Sequence, residues 1–236
     1  MIDLSKVEVV NDPFPYILID NAFSDETFQG LLSEFPSTAE KEAQMGNRKK
    51  VDSGDPFGKA NPEFHAMLET KPTWKKFWDW MNNQQTQKAM FRKFSEGMKE
   101  WQCKAGTTSK LGRDTYVHMD WSEAGDGYWR EVHTDREVRI VNFLVFFNDK
   151  DWDNGDFEAY SSEGVTDFRQ KQFFDGLPEN IKLDKTVEAV ANRAVFFLST
   201  PDSYHAVSEQ ANTNSLRKFI YGSWSGHGDQ WGRYVR

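Results

Sequence analysis

Three of the five histidines in this 236-residue chain open a His-x-Asp triplet: His118-Met119-Asp120, His133-Thr134-Asp135 and His227-Gly228-Asp229. Residues i and i+2 of an extended strand point to the same side, so such a triplet can present an imidazole and a carboxylate to one metal ion. A third ligand must then come from elsewhere in the chain. Two neutral imidazoles and one carboxylate on one face of iron(II) leave three adjacent positions open, enough for a bidentate 2-oxo acid and dioxygen. Cys103 is the only cysteine, which excludes a thiolate cluster, the usual cysteine sets of structural zinc and any intramolecular disulfide.

Context ranks the triplets. His133-Thr134-Asp135 follows the turn-like Gly125-Asp126-Gly127 and precedes an apolar run, Val138–Phe147, which places it at the mouth of a sheet. His205 lies on another β-rich run and is the natural third ligand. Twelve residues later, Arg217 opens a further run, and a guanidinium there can bind the remote carboxylate of a 2-oxo diacid through two parallel hydrogen bonds. If Arg217 points inward, strand parity puts Phe219 and Tyr221 on its side and turns Lys218 and Ile220 away. His118 and Asp120 read as a structural pair near the mouth rather than a second ligand set. His227 falls in a polar, solvent-facing tail.

These residues need a frame, and the chain supplies helices first and strands afterwards. Pro13–Asp20 reads as a strand entered from an extended turn. A helix then starts at Ser24 as N-cap, carries Phe28, Leu31, Leu32 and Phe35 at helical spacing, and stops at Pro36. Residues 40–61 read as an exposed loop. From Lys71 to Cys103 the pattern is helical again, and Phe91, Phe94, Met98 and Trp101 form a stripe suited to packing on a sheet rather than to chemistry. After Cys103 come short β-rich runs over 115–121, 138–147, 157–160, 194–199, 206–209 and 218–224, an antiparallel sandwich or barrel signature. Residues 161–185 combine polarity with Phe168, Phe173 and Phe174 and read as a lid. The fold class is α+β, mainly β, as one domain over 1–236, with helical support over 1–110 and a β core over 111–236.

In order and spacing these segments resemble the 2-oxoglutarate and iron(II) oxygenase superfamily, most closely its prolyl 4-hydroxylase-like branch. Pro13 to Phe23 with the helix to Pro36 is similar to the opening of many small members. Gly127-Tyr128-Trp129-Arg130-Glu131-Val132-His133-Thr134-Asp135 resembles the segment that bears the first two iron ligands. Asn154 to Tyr160, Asn192 to Phe197, Tyr204 to Glu209 and Arg217 complete the pattern. The resemblance implies a double-stranded β-helix, a cupin-like jelly roll, backed by the N-terminal helices. It also implies iron(II) on His133, Asp135 and His205, 2-oxoglutarate on Arg217, dioxygen as cosubstrate, ascorbate as reductant, and decarboxylation of 2-oxoglutarate to succinate. Halogenases of the superfamily replace the carboxylate ligand with a small residue, so Asp135 favours hydroxylation.

The family often sets a tyrosine beside the anchoring arginine, and Val138–Phe147 holds none. Asn142 or Tyr128 is the substitute to examine, and Asn142, Leu144, Val207 and Tyr221 are expected to line the pocket. The branch makes a prolyl residue in a peptide or protein the leading substrate, with a small molecule as the other class. The rival readings are a cupin-like metalloenzyme that does not use 2-oxoglutarate, and a catalytically silent binding module.

Composition sets outer bounds. A net charge of −8 disfavours nucleic acid as a partner and leans toward a basic or neutral one. No apolar window reaches the roughly 18 residues of a membrane span. The first residues lack the pattern of a signal peptide, which makes the cytoplasm the expected location.

Overall fold

The computed structural model describes residues 1–44, 47–54, 59–107, 115–148, 151–163 and 179–232. A seven-stranded and a four-stranded antiparallel sheet form a double-stranded β-helix, with helices against the outer face of the larger sheet. In chain order the strands are β1 (Tyr16–Ile19), β2 (Glu42–Gln44), β3 (Arg48–Asp52), β4 (Thr115–Ala124), β5 (Arg130–His133), β6 (Arg139–Phe146), β7 (Phe157–Ser162), β8 (Ile181–Val187), β9 (Ala194–Leu198), β10 (Tyr204–Val207) and β11 (Arg217–Gly226). The larger sheet runs β1-β9-β6-β11-β4-β3-β2 and the smaller β5-β10-β7-β8.

The helices are α1 (Asp25–Ser33), α2 (Pro62–Glu69), α3 (Pro72–Asn82), α4 (Gln84–Lys93), α5 (Ser95–Glu100) and α6 (Lys104–Thr107). Ser24 caps α1 by accepting from the Thr27 amide, and Asp25 and Glu26 lie at the positive end of the helix dipole. The stripe Phe91, Phe94, Met98 and Trp101 is buried against the sheet, with the Phe91 and Trp224 rings 6.5 Å apart. Trp121 of β4 meets Phe64 at 4.4 Å and Trp74 at 5.4 Å. Each such ring removes 150–250 Å² of surface from water, so this aromatic layer fixes the sheet against its helices.

Alternation sorts the two faces of β11. Arg217, Phe219 and Tyr221 face the space between the sheets, while Ile220 and Trp224 join the helical layer and the Lys218 ammonium lies 5.9 Å from the Phe35 ring. Between the sheets, Phe157 of the smaller meets Phe197 of the larger at 5.3 Å. This inner layer leaves one end of the barrel open for the site.

One expectation is corrected, and another falls largely outside the described residues. Residues 40–61 are not simply an exposed loop: β2 and β3 extend the larger sheet, with β3 paired to β4 from Arg48↔Ala124 to Asp52↔Asp120. Arg48-Lys49-Lys50-Val51-Asp52 shows no apolar alternation because its inward face is charged, and the burial of Arg48 is offset by its ion pair with Asp120 at 2.7 Å. The proposed lid over 161–185 is strand at both described ends, where β7 and β8 pair from Phe157↔Val187 to Ser162↔Ile181. Phe168, Phe173 and Phe174 lie outside the described residues.

Candidate iron and 2-oxoglutarate site

β5 and β10 are neighbours in the smaller sheet, and their register sets His133 directly opposite His205. The two rings lie 4.4 Å apart between centroids. Asp135, two residues beyond His133, turns into the same space, and one ligand atom from each of the three side chains lies within 4.8 Å of the others. All three residues are buried. His133 Nδ1 sits 2.6 Å from the Glu131 carbonyl and His205 Nδ1 sits 2.9 Å from the Ser203 carbonyl. Each Nδ1–H therefore donates to backbone, which leaves both Nε2 lone pairs for a metal. His205 Nε2 and an Asp135 oxygen are 3.4 Å apart, close to the roughly 3 Å expected of neighbouring ligands at ordinary N and O bond lengths.

The carboxylate is held from behind. Asp135 Oδ2 accepts from Asn142 Nδ2 at 2.8 Å and from the Tyr221 hydroxyl at 2.7 Å. Tyr221 in turn accepts from the Arg139 guanidinium, whose Nε lies 3.8 Å from Asp135. Burial opposes the charge on Asp135, yet Arg139 holds it well below the usual carboxylate range. Burial, reinforced by His205, pushes His133 down to about 3, so the imidazole stays neutral and ready to coordinate. The same burial drives the Tyr221 phenol well up and keeps it a donor.

Arg217 enters the same cavity from the large sheet. It is 2% exposed, donates Nη1 to the Gly155 carbonyl, and has no partner for its buried Nε. Its guanidinium rests 5.1 Å from the Tyr128 ring and 4.6 Å from the Phe219 ring. Burial, with Arg48 assisting, lowers Arg217 to about 10 although Asp156 and Tyr128 work the other way. A buried cation with an unused donor is the complement of a carboxylate. Gly155 has φ of 70°, and a Cβ there would stand 3.3 Å from Arg217 Nη1, so glycine is required both by the turn and by the arginine's approach. Asn154 precedes it at φ 54°.

The cavity joining these groups has a volume of about 290 Å³. Tyr128, Leu144, Val207 and Tyr221 line it with the triad and Arg217. Asn142 does not line the cavity as expected: it is fully buried behind Asp135, with its amide committed to the carboxylate. His118 lines the cavity with a buried Nδ1 that lacks a partner, Asp120 is paired to Arg48, and His227 is exposed beside Tyr116. Arg48 and Lys50 of β3 and Arg139 were not singled out from the sequence. The signal for Arg139 is its place four residues after Asp135 at the head of β6, whereas β3 offered none.

The family model of the 2OG-Fe(II) oxygenase superfamily matches residues 109–226. The chain belongs to this superfamily. Its cofactor and cosubstrates are accordingly iron(II), 2-oxoglutarate and dioxygen, and the donor set described above fits them. Among solved structures, a Pseudomonas putida prolyl-4-hydroxylase is 16% identical, with a TM-score of 0.50 over 90% of this chain and 93% of that one. A 2OG-Fe(II) oxygenase family oxidoreductase from Burkholderia pseudomallei is 9% identical, with a TM-score of 0.55 over 93% and 88%. The non-haem alpha-ketoglutarate-dependent epimerase SnoN from nogalamycin biosynthesis is 10% identical, with a TM-score of 0.54 over 89% and 78%. At these identities the likeness is one of fold. No curated protein matches in sequence. No helix among the described residues is long and apolar enough to cross a membrane.

Proposed function

We propose that this oxygenase hydroxylates an unactivated aliphatic carbon, with a prolyl ring as the first substrate to test. The observation that carries the reading is one cavity holding three convergent ligand atoms and a buried arginine with an unused donor. His133, Asp135 and His205 would hold iron(II), and Arg217 would take the distal carboxylate of 2-oxoglutarate. When bound, this pair supplies oxidation by dioxygen, with 2-oxoglutarate leaving as succinate and carbon dioxide and one oxygen atom delivered to a C–H bond.

The chain's own residues prepare that chemistry. Asn142 and Tyr221 fix the Asp135 carboxylate through Oδ2, the oxygen that faces His205 Nε2, and so set its direction toward the imidazoles. Phe157 and Phe197 pack on the His205 ring at 5.9 and 4.7 Å, which limits its rotation and keeps water from that side. Asp135 fills the coordination position that a halide needs, which favours hydroxylation over halogenation.

A prolyl substrate is supported by the branch that the motifs resemble, and a protein of similar fold is a prolyl-4-hydroxylase. The test is incubation with iron(II), 2-oxoglutarate and air against proline-containing peptides and free proline. Succinate formation coupled to a mass gain of one oxygen atom supports it. Succinate formation with no oxygen gained by any prolyl compound removes proline and leaves the oxygenase.

A further inference from the structure

Five cations line the cavity, Arg48, Lys50, Arg130, Arg139 and Arg217, against the carboxylates of Asp120 and Asp135. Lys50 also pairs with Asp52 at 2.9 Å. With Asp156 acting on Arg217, four carboxylates stand against five cations and leave an excess of one positive charge in a chain whose net charge is −8. Iron(II) adds two positive charges and 2-oxoglutarate two negative ones, so the cofactors cancel one another and leave the excess standing. Uncompensated charge in a walled cavity of about 290 Å³ is costly, and an anionic ligand is what relieves it.

The strand register says where that anion belongs. Along β11 the order is Arg217, Phe219, Tyr221, Ser223, Ser225, and Arg139 of β6 pairs with Ser225 at the opposite end from Arg217. Asp135 is held at the middle of this row, on Tyr221 and Asn142. The metal ligands thus lie between two guanidiniums that approach from opposite ends. Arg139 lines the cavity, uses Nη1 on Tyr221 and Asn142 and directs Nε toward Asp135. His118 lines the cavity with its unpartnered Nδ1, and Arg48, fixed on Asp120 and Ser122, lies over the Phe219 ring.

We propose that Arg139 grips a carboxylate of the primary substrate, which is therefore a small carboxylic acid rather than an internal residue of a peptide. Arg48 and Lys50 on the β3 side supply the remaining positive field. This rests on the oxygenase reading and narrows its substrate. A free amino acid such as proline satisfies it, and a prolyl residue inside a chain does not. The small cavity agrees, since it lies at the low end of the roughly 300–1,000 Å³ typical of small-molecule sites and must also admit 2-oxoglutarate.

The experiment is anaerobic calorimetry on protein loaded with manganese(II) and 2-oxoglutarate. The titrants are the protein amino acids and C3–C6 aliphatic monocarboxylates, each paired with its carboxamide, together with acetyl-Gly-Pro-Gly-amide. A charge-assisted bond to a buried partner is worth about 1.5–3 kcal/mol, so at least one carboxylate should bind at least about tenfold tighter than its amide. Arg139→Gln should shrink that ratio to below about threefold, and Arg139→Lys should restore part of it. The ratio is taken within one variant, so a general loss of folding or of the metal does not mimic the effect. The proposal is overturned if no carboxylate outbinds its amide, if the ratio survives in Arg139→Gln, or if only the capped peptide binds. The preceding 2-oxoglutarate titration keeps the two claims apart, because absence of metal-dependent 2-oxoglutarate binding sinks the oxygenase reading itself.

Discussion

Replacing Arg217 with Gln should separate the distal carboxylate of 2-oxoglutarate from the rest of its affinity. Arg217 is 2% exposed, its Nε has no partner, and its guanidinium rests 5.1 Å from the Tyr128 ring and 4.6 Å from the Phe219 ring. Truncating one side of a buried, hydrogen-bonded charge pair costs about 2–4 kcal/mol, or roughly 30- to 1,000-fold in Kd. The assay is an anaerobic titration of manganese-loaded protein with 2-oxoglutarate and with 2-oxopentanoate, which keeps the chelating end and lacks the distal carboxylate. The parent should prefer 2-oxoglutarate by that factor, and Arg217→Gln should show almost no preference. Arg217→Lys should fall between, because it returns the charge without the planar fork. Ligand-free Arg217→Gln should melt no lower than the parent, since burial already works against this cation and lowers it to about 10. A preference that survives in Arg217→Gln would refute the reasoning and move the anchor to another cation of the cavity.

Asp135→Ala should abolish succinate formation and metal retention, read by turnover and metal content; equal turnover would contradict its role. Tyr221→Phe and Asn142→Leu should each weaken metal binding about 10- to 100-fold by freeing the carboxylate they hold, measured by competition with a chelator. Burial holds His133 at about 3 and His118, with Arg139 assisting, at about 4, so both bind protons more weakly folded than unfolded. Their contribution to metal-free stability is full above about pH 6.5 and is lost as pH falls below it. Each contributes up to about 1.4 kcal/mol per pH unit, and His118→Asn should flatten denaturant midpoints between pH 6.5 and 4. Gly222→Ala should cost about 3 kcal/mol in denaturant unfolding, because a Cβ there overlaps the Phe143 ring and the His118 carbonyl.

What the chain discloses by reading alone follows from which residues repeat at a period. β4, β6, β9 and β11 are apolar enough to be seen as strands, and the helix from Ser24 carries its own cap and stop. The triad was legible because i and i+2 on an extended segment must share a side, and Arg217, Phe219 and Tyr221 do face inward together. β3 was hidden because its inward positions are Arg48 and Lys50, which only Asp120 and Asp52 make tolerable, and those partners lie on an adjacent strand and on its own end. β8 was hidden for a related reason, since Lys182 to Thr186 are exposed and no alternation betrays them. The sign of the cavity was equally out of reach. A chain-wide charge of −8 leaned toward a basic or neutral partner, whereas five cations converge only after β3, β5, β6 and β11 are assembled.

The most direct test of the account is anaerobic binding of iron(II) and 2-oxoglutarate to the parent and to His205→Ala. The parent should take up one iron and one 2-oxoglutarate per chain, with 2-oxoglutarate binding dependent on the metal, and His205→Ala should lose both. Iron uptake that is undiminished in His205→Ala, or 2-oxoglutarate binding equally tight without metal, would contradict a site built from His133, Asp135 and His205.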